Sequence, residues 1–189
     1  MKNLKTLGLV LAVTVSTLTA TAQNKPVNAA KSTISWIGKK VTGKHEGTIK
    51  LKEGALFMKD GKIVRGKFTV DMTSIEVTDL KAGEGKEDLE GHLKADDFFG
   101  TEKFTTATMN FKTVTPKSND IYTVVADLTI KGITKPVTFD LTVKGSNATA
   151  KVVVDRTKYD IKYGSGSFFE KLGDKAISDN FDLTVSLQL

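Results

Sequence analysis

Eight stretches of this chain alternate apolar and polar residues with a period of two, and nearly all of them place the large side chains on one face. The pattern is clearest at 122–130 and 137–143, where residues such as Phe139 and Leu141 alternate with threonine and aspartate. A strand of this kind has one face in water and the other against an apolar interior. Because few helical stretches are available as cover, the sheet is expected to cover itself by closing into a barrel or folding into a sandwich.

Residues 1–22 have the features of a secretory signal peptide. A basic start at 1–5 precedes an uncharged apolar stretch at 6–18, and Ala20-Thr21-Ala22 has the small side chains of a cleavage site. The apolar stretch is too short for a stable membrane anchor. We therefore expect a signal peptide over 1–22 and a single mature domain over 23–189, located in a periplasm or secreted.

The charge and cysteine content narrow the range of partners. The formal net charge is +6, and loss of Lys2 and Lys5 with the leader keeps the mature chain mildly basic. The lysines are scattered and form no run of like charge, so we expect no nucleic-acid partner, although transient contact with an anionic membrane surface is compatible with this charge. The chain has no cysteine, which excludes thiol chemistry and cysteine metal sites.

The alternation predicts about eight strands joined by short, antiparallel connections. Residues 23–31 are expected to form a short tail. Helical spacing of apolar residues at 79–104 predicts one or two short helices, and another is expected around 168–172. Glu53-Gly54 and Asp60-Gly61 are turn signals on either side of a short strand. The predicted strands are 32–38, 45–51, 55–58, 63–74, 105–114, 122–130, 137–143, 148–155 and 180–189.

Five segments in matching order along the mature chain carry a family pattern. They are Ser35-Trp36, 66–71, 91–99 with 103–109, 127–137, and Asp155-Arg156 before a Tyr-x-Ile. Together they resemble the YceI-like family of periplasmic polyisoprenoid-binding proteins. The resemblance implies an all-β fold, an eight-stranded antiparallel lipocalin-like β-barrel with one or two short helical insertions. It also implies that the interior holds one long isoprenoid or fatty chain.

The inward-facing residues are compatible with such an interior. Gly47, Gly66, Ala107, Ala126 and Ala150 are small, and we expect them to leave space between the larger side chains. No inward-facing charge recurs along the predicted strands. Each methylene of a chain moved from water into an apolar lining contributes roughly 0.8 kcal/mol. The same pattern is also expected of a barrel filled by its own side chains, and this alternative stays open.

The ligand-binding prediction covers three groups of residues. One group lines the interior, a second caps the tunnel from the helical segments, and His92 either hydrogen-bonds a ligand head group or braces the helical segment. The predicted lining residues are Trp36, Phe68, Val70, Met109, Phe111, Tyr122, Phe139 and Leu141. The predicted caps are Leu93, Phe98, Phe99, Phe168 and Phe169.

The remaining polar motifs do not indicate catalysis or metal binding. His92 and Asp96 have i, i+4 spacing, but no third ligand lies nearby in sequence, so we expect no metal and no cofactor beyond a bound lipid. Asp155-Arg156 is interpreted as a strand-end ion pair or a rim contact with a lipid phosphate.

Three function classes therefore follow from the sequence. The leading hypothesis is a non-enzymatic lipid carrier or storage protein, since neither a Ser–His–acid set nor paired carboxylates occur at recognisable positions. An enzyme using the same pocket and an exported stress or interaction protein with a filled barrel are the alternatives. A monomer or a homodimer is expected.

Overall fold

The computed structural model describes residues 23–189, and the predicted signal peptide lies outside the described residues. Within this range the chain consists mainly of β-strands and has one α-helix, α1 (Lys86–Lys94). The strands are β1 (Gln23–Pro26), β2 (Asn28–Lys40), β3 (Gly43–Lys59), β4 (Lys62–Val77), β5 (Thr106–Ser118), β6 (Ile121–Ile130), β7 (Ile133–Lys144), β8 (Asn147–Asp155) and β9 (Ile177–Gln188).

Strands β2 to β9 close into one antiparallel barrel. Their order around the barrel is β3-β2-β9-β8-β7-β6-β5-β4, and the pairing of β3 with β4 completes the ring. Strands β2 and β9 are distant in sequence but pair over most of their length, with Trp36 opposite Leu183. The predicted all-β, eight-stranded antiparallel barrel with a short helical insertion is therefore confirmed.

Successive barrel strands run in opposite directions, so their connections lie at two ends. The hairpin end carries the tight turns that follow β3, β5 and β7. The first of these contains Asp60 and Gly61, both with positive φ, as the sequence predicts. The helical end carries α1 with the segment 95–105, and also the connection 156–176 between β8 and β9.

Three local predictions are wrong. Residues 23–31 are not a tail, because they form β1, which pairs with β3, and the beginning of β2. Glu53-Gly54 is not a turn, because β3 continues through it with a register shift between Leu51 and Glu53. Gly54 instead permits a close approach, since a Cβ there would lie 2.5 Å from the Phe68 ring. No helix forms at 168–172, where Lys171 and then Gly173 adopt positive φ values that interrupt a helix.

The inward faces of the strands form the hydrophobic core. In β6 the alternation is strict, and Val124, Ala126, Leu128 and Ile130 are all buried. Helix α1 is more exposed, and Leu93 is its buried residue. Among the described residues, no helix combines the length and the apolar composition that a membrane span requires.

Candidate functional site

The barrel encloses an apolar cavity of about 190 Å³. All eight barrel strands contribute to its wall, because alternate residues of each strand point inward. Leu93 of α1 and the adjacent Phe98 and Phe99 complete the wall at the helical end. The volume is below the roughly 300–1,000 Å³ of pockets for drug-sized ligands, so a narrow ligand suits this cavity better than a bulky one.

Most of the residues predicted to bind a ligand lie in the cavity wall. Contact with a ligand stays a prediction for each of them. The predicted residues found in the wall are Trp36, Phe68, Val70, Leu93, Phe98, Phe99, Met109, Phe111, Phe139 and Leu141.

Four residues predicted to bind the ligand lie outside the wall: one was predicted as lining, two as caps, and the fourth is His92. Tyr122 lies near the hairpin end, opposite Pro116, beside a shallow surface pocket. Phe168 and Phe169 are 51% and 50% exposed, because the turns of this segment project both rings outward. His92 lies behind the wall, where its ring packs against Phe98 with centroids 5.5 Å apart and against Tyr163 at 4.3 Å.

Aromatic rings occupy part of the space that the small inward residues were expected to leave open. A Cβ on Gly47 would lie 2.5 Å from Trp36, and one on Gly66 would lie 2.6 Å from Phe111. The glycines therefore allow rings to lie against the sheet. Ala107 and Ala150 do line the cavity, whereas the buried Ala126 does not.

The aromatic side chains of the wall are held by direct contacts. The ring of Phe111 lies between those of Phe68 and Phe139, with centroid distances of 5.5 and 5.8 Å. The indole N–H of Trp36 donates to the carbonyl oxygen of Thr48 at 3.2 Å. Such contacts fix ring orientation and give the cavity a defined shape.

The segment after α1 places two phenylalanines over the helical end of the cavity. Its backbone turns back on itself, with the N–H groups of Phe98 and Gly100 both donating to the carbonyl oxygen of Ala95. The Phe98 and Phe99 rings are 5.2 Å apart, and Phe99 reaches Phe181 of β9 at 6.2 Å. These two rings therefore lie over the helical end of the cavity, where the sequence predicted caps from the helical segments.

The sequence interpretation also placed Arg156 wrongly. It is 2% exposed and lies in the cavity wall rather than at the rim. The ion pair predicted with Asp155 is absent, because the Asp155 carboxylate accepts hydrogen bonds from Thr157. The sequence does contain a signal for the inward position of Arg156. The alternation of β8 places Ala150, Val152 and Val154 inward, and the next position in that series is Arg156.

The guanidinium of Arg156 ties the two ends of the β8–β9 connection together. Its Nε donates to Ser178 O at 2.9 Å, Nη1 to Ile161 O at 2.8 Å, and Nη2 to Ile177 O at 3.1 Å. The nearest carboxylate is that of Asp179, with Oδ1 3.8 Å from Nη2. Burial lowers the pKa of Arg156 from its ordinary value, and this effect outweighs the opposing influence of the Asp179 and Asp155 charges.

The two histidines lie apart from the cavity. His45 pairs with Asp79, with Nδ1 2.9 Å from Oδ2, and the Asp96 carboxylate pairs with Lys103 rather than with His92. Across residues 23–189, no cluster of three or more His, Cys, Asp or Glu side chains has the arrangement of a metal site.

The fold and the cavity define a class of protein, a closed antiparallel barrel with an enclosed apolar interior. The sequence model of the YceI-like domain matches residues 26–189. The chain therefore belongs to the YceI-like family, as the resemblance indicated.

Curated relatives match over a shorter stretch. A UPF0312 protein of Staphylococcus aureus (strain bovine RF122 / ET3-1) is 40% identical over 85 residues, which cover 39% of this chain and 47% of the relative. Another UPF0312 protein, from Staphylococcus aureus strain N315, is 39% identical with the same coverage. The chain thus spans about half the length of the curated relatives that it matches.

Solved structures share the fold over nearly their whole length. BcnA of Burkholderia cenocepacia superposes with a TM-score of 0.68 at 21% identity, covering 85% of this chain and 98% of that one. A polyisoprenoid binding domain from Saccharophagus degradans gives a TM-score of 0.55 at 13% identity, with 88% and 97% covered. At this level of identity the likeness shows a common fold.

Proposed function

We propose that this protein binds one long-chain lipid, such as a polyisoprenoid, inside the barrel and acts as a carrier or store rather than as an enzyme. The observation that carries the proposal is the cavity of about 190 Å³ inside the barrel, whose wall is almost entirely apolar. The name of the Saccharophagus degradans domain, which refers to polyisoprenoid binding, supports the choice of ligand class.

The energetics of such a site come from the hydrocarbon chain. About ten methylenes moved from water into the cavity contribute roughly 8 kcal/mol at about 0.8 kcal/mol each. This gross value corresponds to a dissociation constant of about 1 µM before the cost of ordering the chain is subtracted. Affinity then depends on chain length, and the small volume of the cavity favours a single slender chain.

Two further features support the non-catalytic and exported parts of the proposal. Among the described residues, those that line the cavity include no carboxylate and no imidazole, which are the usual groups for acid–base chemistry. The leader-like sequence of 1–22 and the absence of cysteine fit a periplasmic or secreted protein.

The first test is the identity of whatever co-purifies with the protein. The protein is purified without detergent, its organic extract is examined by mass spectrometry, and the intact species is examined by native mass spectrometry. A stoichiometric prenyl or acyl species that is returned unchanged supports the carrier function. An empty protein that also takes up no isoprenoid or fatty chain refutes it.

A matched pair of substitutions on β8 tests the location of the ligand. Ala150 points into the cavity, whereas Thr149 beside it is exposed. Ala150→Leu is expected to reduce lipid uptake because the added side chain fills part of the cavity. Thr149→Leu adds apolar volume outside the barrel and is expected to leave uptake unchanged. Equal effects of the two substitutions would place the lipid elsewhere.

A further inference from the structure

We propose that Arg156 is a head-group subsite within the cavity and binds an oxygen acceptor at the polar end of the ligand. The ligand then lies with its head group at the helical end and its tail towards the hairpin end. This inference rests on the proposed lipid-binding function and adds to it the chemical class and the orientation of the ligand.

The hydrogen-bonding capacity of Arg156 is not used up by the protein. A guanidinium has five N–H donors. Three of them are satisfied by carbonyl oxygens of Ile161, Ile177 and Ser178. Asp179 Oδ1, at 3.8 Å from Nη2, is beyond hydrogen-bond distance, is itself buried, and has no hydrogen-bond partner in the part of the chain that the structure describes. Two N–H groups of a nearly inaccessible cation therefore have no acceptor within residues 23–189.

The position of Arg156 gives the cavity a polar end. Among the described residues that form the wall, Arg156 is the one with a charge, and Ser178 and Asn180 add polar groups at the same end. The Phe98 ring lies 5.8 Å from the guanidinium carbon and shields it from water. From this end the β9 wall continues through apolar residues to Leu187 near the hairpin end. The apolar stretch from Phe181 to Leu187 spans roughly 20 Å at about 3.3 Å per residue, which is long enough for an extended tail.

The chemistry of the subsite follows from the cost of burying a charge. A buried cation is stable when it is fully hydrogen-bonded and paired. An acceptor oxygen would form charge-assisted hydrogen bonds with the free N–H groups, and these are stronger and more directional than neutral ones. Carboxylate, phosphate and carbonyl head groups meet this requirement. A cationic head group would be repelled.

The test compares two ligands that share a chain length and differ in head group. Palmitate and hexadecyltrimethylammonium are titrated below their critical micelle concentrations, and binding is followed by the fluorescence of Trp36, the single tryptophan, which lies in the cavity wall. Palmitate is expected to bind at least about tenfold more tightly, the effect of one hydrogen bond to a charged group. The measured quantity is the ratio of the two affinities, because general damage to the barrel would weaken both ligands together.

Three variants test whether the preference for palmitate over hexadecyltrimethylammonium arises from Arg156. Arg156→Gln is expected to bring the ratio close to unity while chain binding persists. Asp179→Asn is expected to raise the ratio, because it removes the carboxylate that competes for the guanidinium. Lys175→Gln removes an exposed positive charge at the same end and is expected to leave the ratio unchanged. If Arg156→Gln fails to fold, the direction of change in Asp179→Asn decides the question.

The outcomes separate the two proposals. Equal affinities of the wild-type protein for both ligands, or a ratio that does not rise in Asp179→Asn, would overturn the subsite and leave the lipid-binding function intact. Failure of both ligands to bind, together with an empty purified protein, would overturn the lipid-binding function itself.

Discussion

The contact between Trp36 and Gly47 offers a sharp test of how the barrel is packed. These residues lie opposite each other on β2 and β3, and the indole covers the position where any other residue would carry a side chain. A Cβ at Gly47 would lie 1.9 Å from the carbonyl oxygen of Glu76 on β4 and 2.5 Å from the Trp36 ring. Gly47→Ala therefore forces β3 and β4 apart and displaces the indole.

The expected cost of this substitution combines two effects. Overpacking of a close-packed core costs about 1–3 kcal/mol. Separation of the strands also weakens ladder hydrogen bonds near the closing pair Thr48–Glu76, at roughly 1 kcal/mol each. A total of about 3 kcal/mol corresponds to a fall in Tm of about 10 °C for a chain of this size.

Thermal unfolding followed by Trp36 fluorescence and by far-ultraviolet circular dichroism measures this cost. Gly38→Ala is the matched control, because a Cβ at Gly38 meets no heavy atom within 4 Å. The control is expected to change stability by less than about 0.5 kcal/mol. If the two variants melt at the same temperature, the proposed ring-on-glycine packing is wrong.

Three further predictions concern residues outside the lining. Tyr159 is 1% exposed, and its hydroxyl has no hydrogen-bond partner among the described residues. Burial raises its pKa to about 12, so stability is expected to fall as the pH rises from the ordinary value of 10.0 towards 12. Denaturant unfolding as a function of pH is expected to show this alkaline loss in the wild type and not in Tyr159→Phe, which should be at least as stable at neutral pH. Leu56→Ala, at a fully buried position near the hairpin end, is expected to cost about 2–5 kcal/mol in the same assay, and a cost below 1 kcal/mol would contradict the packing described. Phe168→Ser and Phe169→Ser are expected to change stability by less than about 0.5 kcal/mol and to leave lipid uptake unaltered, whereas lost uptake would restore their predicted role as caps.

The strands and their inward faces could be read from the sequence because both depend on local order. Alternation along a strand assigns each side chain to one side of the sheet, so Phe68, Met109 and Phe139 could be placed inside before any pairing was known. Alternation is a less reliable guide to the cavity wall near the ends of the strands. Tyr122 continues the alternation of β6 but is not part of the cavity wall, although Leu141, which lies opposite it on β7, is.

The segments outside the strands were harder to predict because their conformation depends on what they pack against. The aromatic pairs Phe98-Phe99 and Phe168-Phe169 look alike in sequence, yet one covers the cavity and the other is exposed. The first pair is held over the barrel by turns in which the N–H groups of Phe98 and Gly100 donate to the carbonyl oxygen of Ala95. The second pair follows the buried Ser165 on a turn that leads away from the wall.

The sequence by itself determined the antiparallel strands and their inward faces, because a period of two and the turn residues act over a few neighbouring positions, and the five family segments indicated that these strands close into a YceI-like barrel. Only the tertiary structure decided how the interior is filled. The rings of Trp36 and Phe111 occupy the space beside Gly47 and Gly66, and Arg156 turns inward because three carbonyl oxygens, two of them from β9, surround its guanidinium. The contacts of these side chains join residues far apart in the chain, so they exist only once the strands have closed, even where a local period, as in β8 before Arg156, already indicates the inward side.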